Sequence, residues 1–594
     1  MKHIVALLFA LIFPITVFSA PSAICRCQPN QSCWPNSQKW AGFAKQLTGK
    51  LVQPQSPLAS CQKNRTDEDC SAALNNVKNP FYLESTPGGT QTQRWEHAWH
   101  AQASEYAVEA ENTADIVAAI NFARTHNLRL VIKGTGHDYL GRSSAPKSLL
   151  IWTHKMRNVK FLQSFVPEGA PKATKGVSAI TVSAGTRWLD AYDLATTKHN
   201  QYVQGGGCTS VGAAGGFTQG GGFGSFSKKF GTGAAGILQV EVVTAEGKTL
   251  IANRYQHQDL FWAICGGGGG TFGVVTQMTL MTHDLPKHFG SVRGKITAKT
   301  DDDYKKLIEK MLIFYRDNLN NEHWGEQLYF NSDRTIAINM KSNGLSKQET
   351  EKAWLSLKTW VNQFPKRYTM KLDVVSIPAR KMWDYRFYEE NYPNSIVRNP
   401  QKGAPKEEFW WKGNSSEVYL YIYAHQTRWI PIQLFAKDHL QQLTDAFFRA
   451  SQLHAVSLHF NKGLSGASAD AIKRGRETAT NPAVYDAVGL VIMFGGSNEV
   501  FQGIAGKEPT RQIVKKDIDQ IKRAMEYITE ITPNAGTYTN ESDYFQKNWQ
   551  QDFWGVNYKR LLEIKQKYDP NGLFYCHQCV GSEYWNDSGM CRLD

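Results

Sequence analysis

Residues 201–236, QYVQGGGCTSVGAAGGFTQGGGFGSFSKKFGTGAAG, hold more glycine than an ordinary helix or strand tolerates, and a second run, AICGGGGGTFGVVTQMTL, follows at 263–280. Such a chain either has flexible linkers here or must bring backbone amides very close to something. Linkers are Ser/Gly-rich and lack ordered flanks. These runs are bracketed by strand-like VVT and VVTQM segments, with bulky residues interleaved. Close approach to a bound, phosphate-bearing group is therefore the reading, since amide-rich turns bind anions without a helix terminus. The common nucleotide motifs fail: neither GTGHDYLG (134–141) nor GGFGSF has the third glycine of G-x-G-x-x-G, and Gly247-Lys248-Thr249 lacks a P-loop's first glycine. No H-E-x-x-H or G-x-S-x-G occurs either.

With 594 residues, 41% hydrophobic and 20% charged, the chain buries large cores and exceeds one ordinary domain. Its net charge of +14 is scattered rather than blocked, which argues against a nucleic-acid arm. MKHIVALLFALIFPITVFSA (1–20) reads as a secretory signal. Cysteine usage agrees with export: Cys25, Cys27, Cys33, Cys61 and Cys70 follow the signal, Cys576, Cys579 and Cys591 lie near the end, and only Cys208 and Cys265 fall between. If the eight terminal cysteines pair among themselves, two odd groups require at least one bridge between the two ends. Zinc is the weaker alternative, because the Cys576/Cys579 pair has no second pair at ribbon spacing.

Residues 21–85 are polar and Cys-bearing with little periodicity, and read as a stapled extension. Then Thr113 is placed to cap a helix, ADIVAAINFARTH, with Ile116, Ala119, Ile120 and Ala123 on one face. LRLVIK and SAITVSAGT read as strands, and ILQVEVVTAEGKTLIA as a hairpin turning at Glu246-Gly247. From about 285 the strands GSVRGKITA, EQLYFN, TIAINMKS and VGLVIMFGG suggest an antiparallel sheet. The segments starting DDDYKK, KQETEK and RQIVKK suggest helices covering it.

Four blocks, GTGHDYLGRS, GGGCTSVGAAGGFTQGGGFGSFSKKFG, DLFWAICGGGGGTFGVV and NWQQDFWGVNYKRLLEIKQKYDPNGLF, together resemble the berberine bridge enzyme-like branch of the vanillyl-alcohol oxidase flavoprotein superfamily over residues 86–594. The extension's CWPNSQKWAGFAKQLTGKLVQP looks like that of secreted microbial members. The resemblance implies an α+β fold: an extension (21–85), an FAD-binding domain (86–284), a substrate-binding domain (285–535) and a C-terminal return to the FAD domain (536–594). It implies covalent FAD, attached 8α-histidyl through His137 and 6-S-cysteinyl through Cys208. Gly134, Thr135, Gly136, Asp138, Tyr139, Gly141, Arg142 and Ser143 would wrap the pyrophosphate, with Gly185, Gly206, Gly207, Val211, Gly212, Gly216, Gly222, Ile237 and Val275 lining the cofactor. Imidazole nitrogen and thiolate are suitable nucleophiles for such attachment. Cys265 has no such context and reads as core.

Many relatives use a carboxylate from the substrate sheet, or a tyrosine, as the base. Here VSLHFNKGLSGA puts His459 where the carboxylate would stand, with Asn461 and Lys462 nearby, and an imidazole can serve as base; a structural strand histidine is the other reading. Tyr538 and Asn540 match the family's Y-x-N-Y-x-D, with Glu541 replacing its second tyrosine, which implies Tyr538 as a catalytic phenol and Asn540 as a flavin contact. Val211, three residues after the cysteine, is the residue found in oxygen-reactive relatives. The expectation is a secreted FAD oxidase of a hydroxyl-bearing substrate, first a saccharide, with O2 as acceptor and no metal. The partners are a small molecule and O2, without nucleic acid or integral membrane contact, and the chain is expected as a monomer. An alcohol or alkaloid-like amine oxidase or dehydrogenase, and a flavin-containing binding protein without turnover, are the alternatives.

Overall fold

The computed structural model describes residues 24–63 and 68–593; the expected signal, 1–20, lies outside the described residues. Two sheets form the first half. A four-stranded sheet runs Lys50–Val52, Tyr106–Glu109, Ser148–Trp152, Arg129–Lys133, with its last three strands parallel. The helix Thr113–Thr125 follows the second of these and buries Ile116, Ala119, Ile120 and Ala123. Its cap is Asn112 rather than Thr113: the Asn112 side chain accepts from the Asp115 N–H, while Thr113 Oγ1 donates to Glu241 Oε1 at 2.7 Å. Asn is as good an N-cap as Thr, and the Glu241 contact takes the threonine hydroxyl.

The second sheet is antiparallel, in the order Thr249–Asn253, Ile237–Val243, Val274–Asp284, Val177–Ser183, Val159–Phe165, with Gln201–Val203 also on Val274–Asp284. The hairpin turns as its sequence suggests, with Gly247 at φ +75°.

The large sheet has nine strands in the order Tyr368–Pro378, His288–Ala298, Thr335–Asn343, Trp324–Phe330, Val456–His459, Ala487–Ser497, Leu420–Pro431, Thr92–Trp95, Trp99–His100. Helices Asp301–Phe314, Leu440–Leu453 and Arg511–Ile531 contribute buried apolar residues to its core, among them Leu307, Met311, Leu443, Phe447, Ile521 and Ile528. The segment 347–364, read as one helix, breaks at the buried Trp354 into Lys347–Ala353 and Leu355–Asn362. The sheet is antiparallel except where Leu420–Pro431 runs parallel to Thr92–Trp95. Residues 92–100 therefore extend the large sheet, although the expected boundaries put them in the FAD-binding domain, 86–284.

The extension is more than a staple. It forms helices Ser37–Ala44, Glu68–Asn76 and Pro80–Glu84 and supplies an edge strand to the first sheet. Trp40 stacks on Tyr106 at 3.9 Å and Phe43 on Phe122 at 4.2 Å, so its aromatics complete a core rather than decorate a surface. Disulfides join Cys27 to Cys33, Cys61 to Cys70, Cys576 to Cys579, and Cys25 to Cys591, the last linking the two ends as cysteine parity requires. Among the described residues no helix is long and apolar enough to cross a membrane. Replacing Cys25 and Cys591 together with serine is expected to cost about 2–4 kcal/mol. Thermal unfolding and limited proteolysis of the 24–34 segment check this; unchanged resistance on both counts would contradict it.

Candidate functional site

A cavity of about 1510 Å³ opens between the two glycine runs, the loop after Arg129–Lys133 and the large sheet. Drug-sized sites run to roughly 300–1,000 Å³, so there is room for a cofactor together with a substrate.

The loop 134–143 forms one wall. It leaves the strand Arg129–Lys133 and turns at Gly136, φ +80°. The Asp138 carboxylate accepts from Arg142 N (2.6 Å) and Nε (2.7 Å), which closes the loop on itself. Trp99 Nε1 donates to Tyr139 O at 3.0 Å, tying the loop to the large sheet.

The second wall is the loop 205–216. Here the glycines divide into two kinds. A Cβ on Gly224 would lie 1.9 Å from Gly205 O, and one on Gly269 2.5 Å from Gly216 Cα, so these positions let backbone pack on backbone. A Cβ on Gly207 or Gly216 would meet nothing within 4 Å, and both residues line the cavity. That open, amide-lined floor is the cradle a flat or anionic cofactor needs.

His137 Nε2 and Ser210 Oγ lie 2.9 Å apart. This contact joins the two walls, and since Ser210 is two residues from Cys208, it holds the imidazole and the thiol at one end of the cavity. Burial lowers the His137 pKa to about 3, so the ring is neutral with a lone pair. Cys208 Sγ–H donates to Glu417 Oε2 at 3.8 Å. Burial first, then the Glu417 charge, pushes the thiol upward.

Gly134, Thr135, Gly136, Asp138, Tyr139, Arg142, Ser143, Gly206, Gly207, Val211, Gly212, Gly216, Val275, Tyr538 and Asn540 line the cavity with His137, Cys208 and His459. Gly141, Gly185, Gly222 and Ile237 do not. A Cβ on Gly141 would strike the Trp99 ring at 2.5 Å and one on Gly185 would strike Thr153 O at 2.2 Å, so these glycines serve packing. Gly222 turns with φ +76° and donates its N–H to Tyr538 OH at 3.2 Å. Ile237 is buried core. Cys265, read as core, is buried there.

Tyr538 OH also accepts from Asn540 Nδ2 at 2.8 Å, which leaves the phenol's own proton for a third partner. Ser457 Oγ donates to Ile492 O at 2.9 Å and lies 3.0 Å from His459 Nε2. That arrangement places the ring proton on Nε2 and leaves Nδ1 as acceptor. Burial, with Lys462 and His425 nearby, holds the His459 pKa well below the usual value.

Several lining residues had no motif to reveal them. Glu417 ends the short 3-10 helix Lys412–Glu417; Lys462 pairs with Glu541, the residue that departs from the family pattern. His425 is buried with both ring nitrogens unpartnered, edge-on to Tyr139 at 5.5 Å and Phe494 at 5.8 Å. Behind the Cys208 loop lies Arg187, whose Nη1 meets Glu408 (2.7 Å) and Glu84 (3.3 Å) and whose Nη2 meets Asp190 (2.9 Å).

The chain matches the FAD binding domain family over residues 104–253 and the family described as berberine and berberine like over 537–581. An uncharacterized FAD-linked oxidoreductase of Arthroderma benhamiae is 30% identical over 607 residues, covering 96% of each chain. The chain belongs to the berberine bridge enzyme-like FAD-linked oxidoreductases. The FAD-linked oxidoreductase easE of Arthroderma otae is 31% identical over 597 residues, 95% of this chain and 90% of the relative. Among solved structures, a VAO-type flavoprotein of Myceliophthora thermophila C1 superposes with a TM-score of 0.78 at 24% identity, covering 96% of this chain and 100% of that one. A glucooligosaccharide oxidase of Acremonium strictum, which carries a 6-S-cysteinyl, 8α-N1-histidyl FAD, shares the fold with a TM-score of 0.60 at 19% identity, covering 85% and 95%. This oxidoreductase thus has the FAD fold, and its donor set suits FAD: an open amide floor, a neutral imidazole and a free thiol around one cavity.

Removing Arg187 would leave the buried Glu84 and Glu408 with a single cation between them, Arg157, at 2.5 Å and 4.0 Å. Arg187→Leu is expected to lose about 3–5 kcal/mol of stability. Denaturant unfolding followed by tryptophan fluorescence measures it, and a loss below about 1 kcal/mol would show that the cluster carries little.

Proposed function

We propose that this FAD-linked oxidoreductase is a secreted, monomeric oxidase that holds its flavin by two covalent bonds, through His137 and Cys208, and oxidises a neutral hydroxyl-bearing small molecule, first of all a saccharide, with O2 as acceptor. The observation that carries this reading is the convergence of His137 and Cys208, from loops 71 residues apart in sequence, on one end of a glycine-floored cavity. When bound, the isoalloxazine supplies a two-electron acceptor at N5 and returns the electrons to O2 as H2O2. The protein's own share is positioning and proton handling. His459 Nδ1 accepts the hydroxyl proton of the substrate, its ring fixed by Ser457. Tyr538, braced by Gly222 and Asn540, donates its hydroxyl proton to a bound oxygen or nitrogen. Val211 is the small residue beside the thiol, in keeping with access for O2.

The lining supports a neutral substrate. Its five carboxylates, Asp138, Glu326, Asp373, Glu417 and Glu541, are matched by five cations, Arg142, Arg293, Lys341, Lys412 and Lys462. A site for an ammonium substrate would carry an acidic excess. Trp383, Tyr388, Tyr392 and Trp411 add aromatic faces suited to a sugar ring. Disulfides in the structure support passage through an oxidising compartment.

Acid precipitation tests the attachment. Yellow colour is expected to stay with the pellet of the wild type, and of His137→Ala and Cys208→Ala singly; release from the wild type would sink the covalent reading. A screen of saccharides against alcohols and amines, with peroxide detection, then tests the substrate; amine-only turnover would overturn the neutral-substrate reading, and flavin reduced by nothing would favour a binding protein.

The pH profile tests His459. Because burial lowers its pKa, the ring is neutral at ordinary pH and becomes protonated only on moderate to strong acidification. The log of kcat/KM is therefore expected to show no histidine inflection between about pH 5 and 8. An inflection near 6.5 that vanishes in His459→Gln would contradict it.

A further inference from the structure

Among the described residues two cysteines are free, and they differ in setting: Cys265 is sealed in core, whereas Cys208 faces the cavity with a carboxylate on its sulfur. That carboxylate, Glu417, is 209 residues away in sequence. The turn bearing it is fastened on either side of Cys208. Trp411 Nε1 donates to Gly207 O at 3.1 Å, and Thr209 Oγ1 donates to Phe409 O at 2.7 Å. Within the turn, Ser415 is held by Trp410 Nε1 (3.0 Å) and by Asn498 Nδ2 through its carbonyl (2.8 Å). The fold thus spends four directed contacts on keeping Glu417 over one sulfur.

Resting on the bicovalent reading above, we propose that Glu417 is the general base that takes the Cys208 thiol proton when the sulfur bonds to the flavin ring. Only a thiolate attacks a ring carbon at a useful rate, and burial keeps this thiol protonated. A neighbouring base is the usual remedy for a nucleophile in that condition. Glu417 suits the task by position, with its Oε2 3.8 Å from the Cys208 sulfur on the wall of the same cavity. Lys462, paired with Glu541, faces the same group and favours the negative charge that passes between sulfur and oxygen.

The step balances as follows in atoms and electrons. The S–H bond breaks with its proton passing to Glu417 as sulfur bonds to C6 of the oxidised ring. The hydrogen on C6 then leaves as a proton, and the ring keeps two electrons and, with two protons at its nitrogens, is reduced. O2 accepts those two electrons and two protons as H2O2. The net change is Cys–SH plus ring C–H plus O2 to the S–C bond plus H2O2.

The test is peptide mass analysis of the purified, flavin-loaded full chain. In the wild type one flavin is expected to join the His137 and Cys208 peptides. In Glu417→Gln the flavin is expected to remain on His137 while Cys208 becomes alkylatable, with linkage at least about tenfold slower. Incubation near pH 9 under air should restore it partly, because bulk hydroxide replaces the missing base. Glu417→Asp is expected to attach at an intermediate rate, and serves as the readout if the glutamine variant does not fold. Wild-type rates in both variants, or in the aspartate variant alone where only it folds, would overturn the proposal. Absence of any Cys208–flavin peptide in the wild type would instead bring down the bicovalent reading, and this inference with it.

Discussion

A buried guanidinium organises this molecule. Arg187 stands at the head of the short helix Trp188–Tyr192 and gathers Glu84 from the extension, Asp190 from its own helix and Glu408 from the substrate half. Three stretches distant in sequence thereby meet in a region with little water. Burial alone would weaken the cation, but three carboxylates hold Arg187 charged well above its ordinary range. Isolated charges at such depth are intolerable, so the three segments are obliged to arrive together. The same residue bridges to the backbone at Gly212, while Trp188 and Leu189 donate to Val211 O and Thr209 O. The loop that presents Cys208 is thus hung directly on the charge cluster.

From that anchor the cavity follows. Its floor is the loop 205–216, its side the loop 134–143, its roof the large sheet. Glycine performs two physical tasks here: at Gly224 and Gly269 it lets one backbone lie against another, and at Gly207 and Gly216 it leaves amides facing open space. The first kind builds the second. The neutral state of His137 and His459 comes from the same burial, so these two rings present lone pairs rather than positive charge at ordinary pH.

Legibility in the sequence was uneven for physical reasons. The helix face of Ile116, Ala119, Ile120 and Ala123 and the hairpin at Gly247 were visible because period and turn chemistry are local. The helix cap shifted by one residue to Asn112, since two good caps stood side by side and Glu241, far along the chain, claimed the threonine. The extension looked irregular because its short helices are too brief for periodicity; only contact of Trp40 with Tyr106 shows it to be core. Glycine spacing marked the cavity wall, yet it could not separate cradle glycines from packing glycines such as Gly141 and Gly185. Glu417 and His425 carried no signal, since an isolated carboxylate at the end of a short 3-10 helix and a strand histidine look like any others.

By itself the sequence determined the family, the α+β class, the need for a bridge between the chain's ends, and His137 and Cys208 as the residues to watch. These rest on local motifs and on counting, and neither depends on three-dimensional contact. Only the tertiary structure decided that Cys25 meets Cys591, that residues 92–100 join the large sheet, and that His137 and Cys208 share one end of one cavity through Ser210. It alone set Glu417 on the Cys208 sulfur and Arg187 among three acids. Charges and nucleophiles acquire their character from what surrounds them, and those surroundings come from residues hundreds of positions apart.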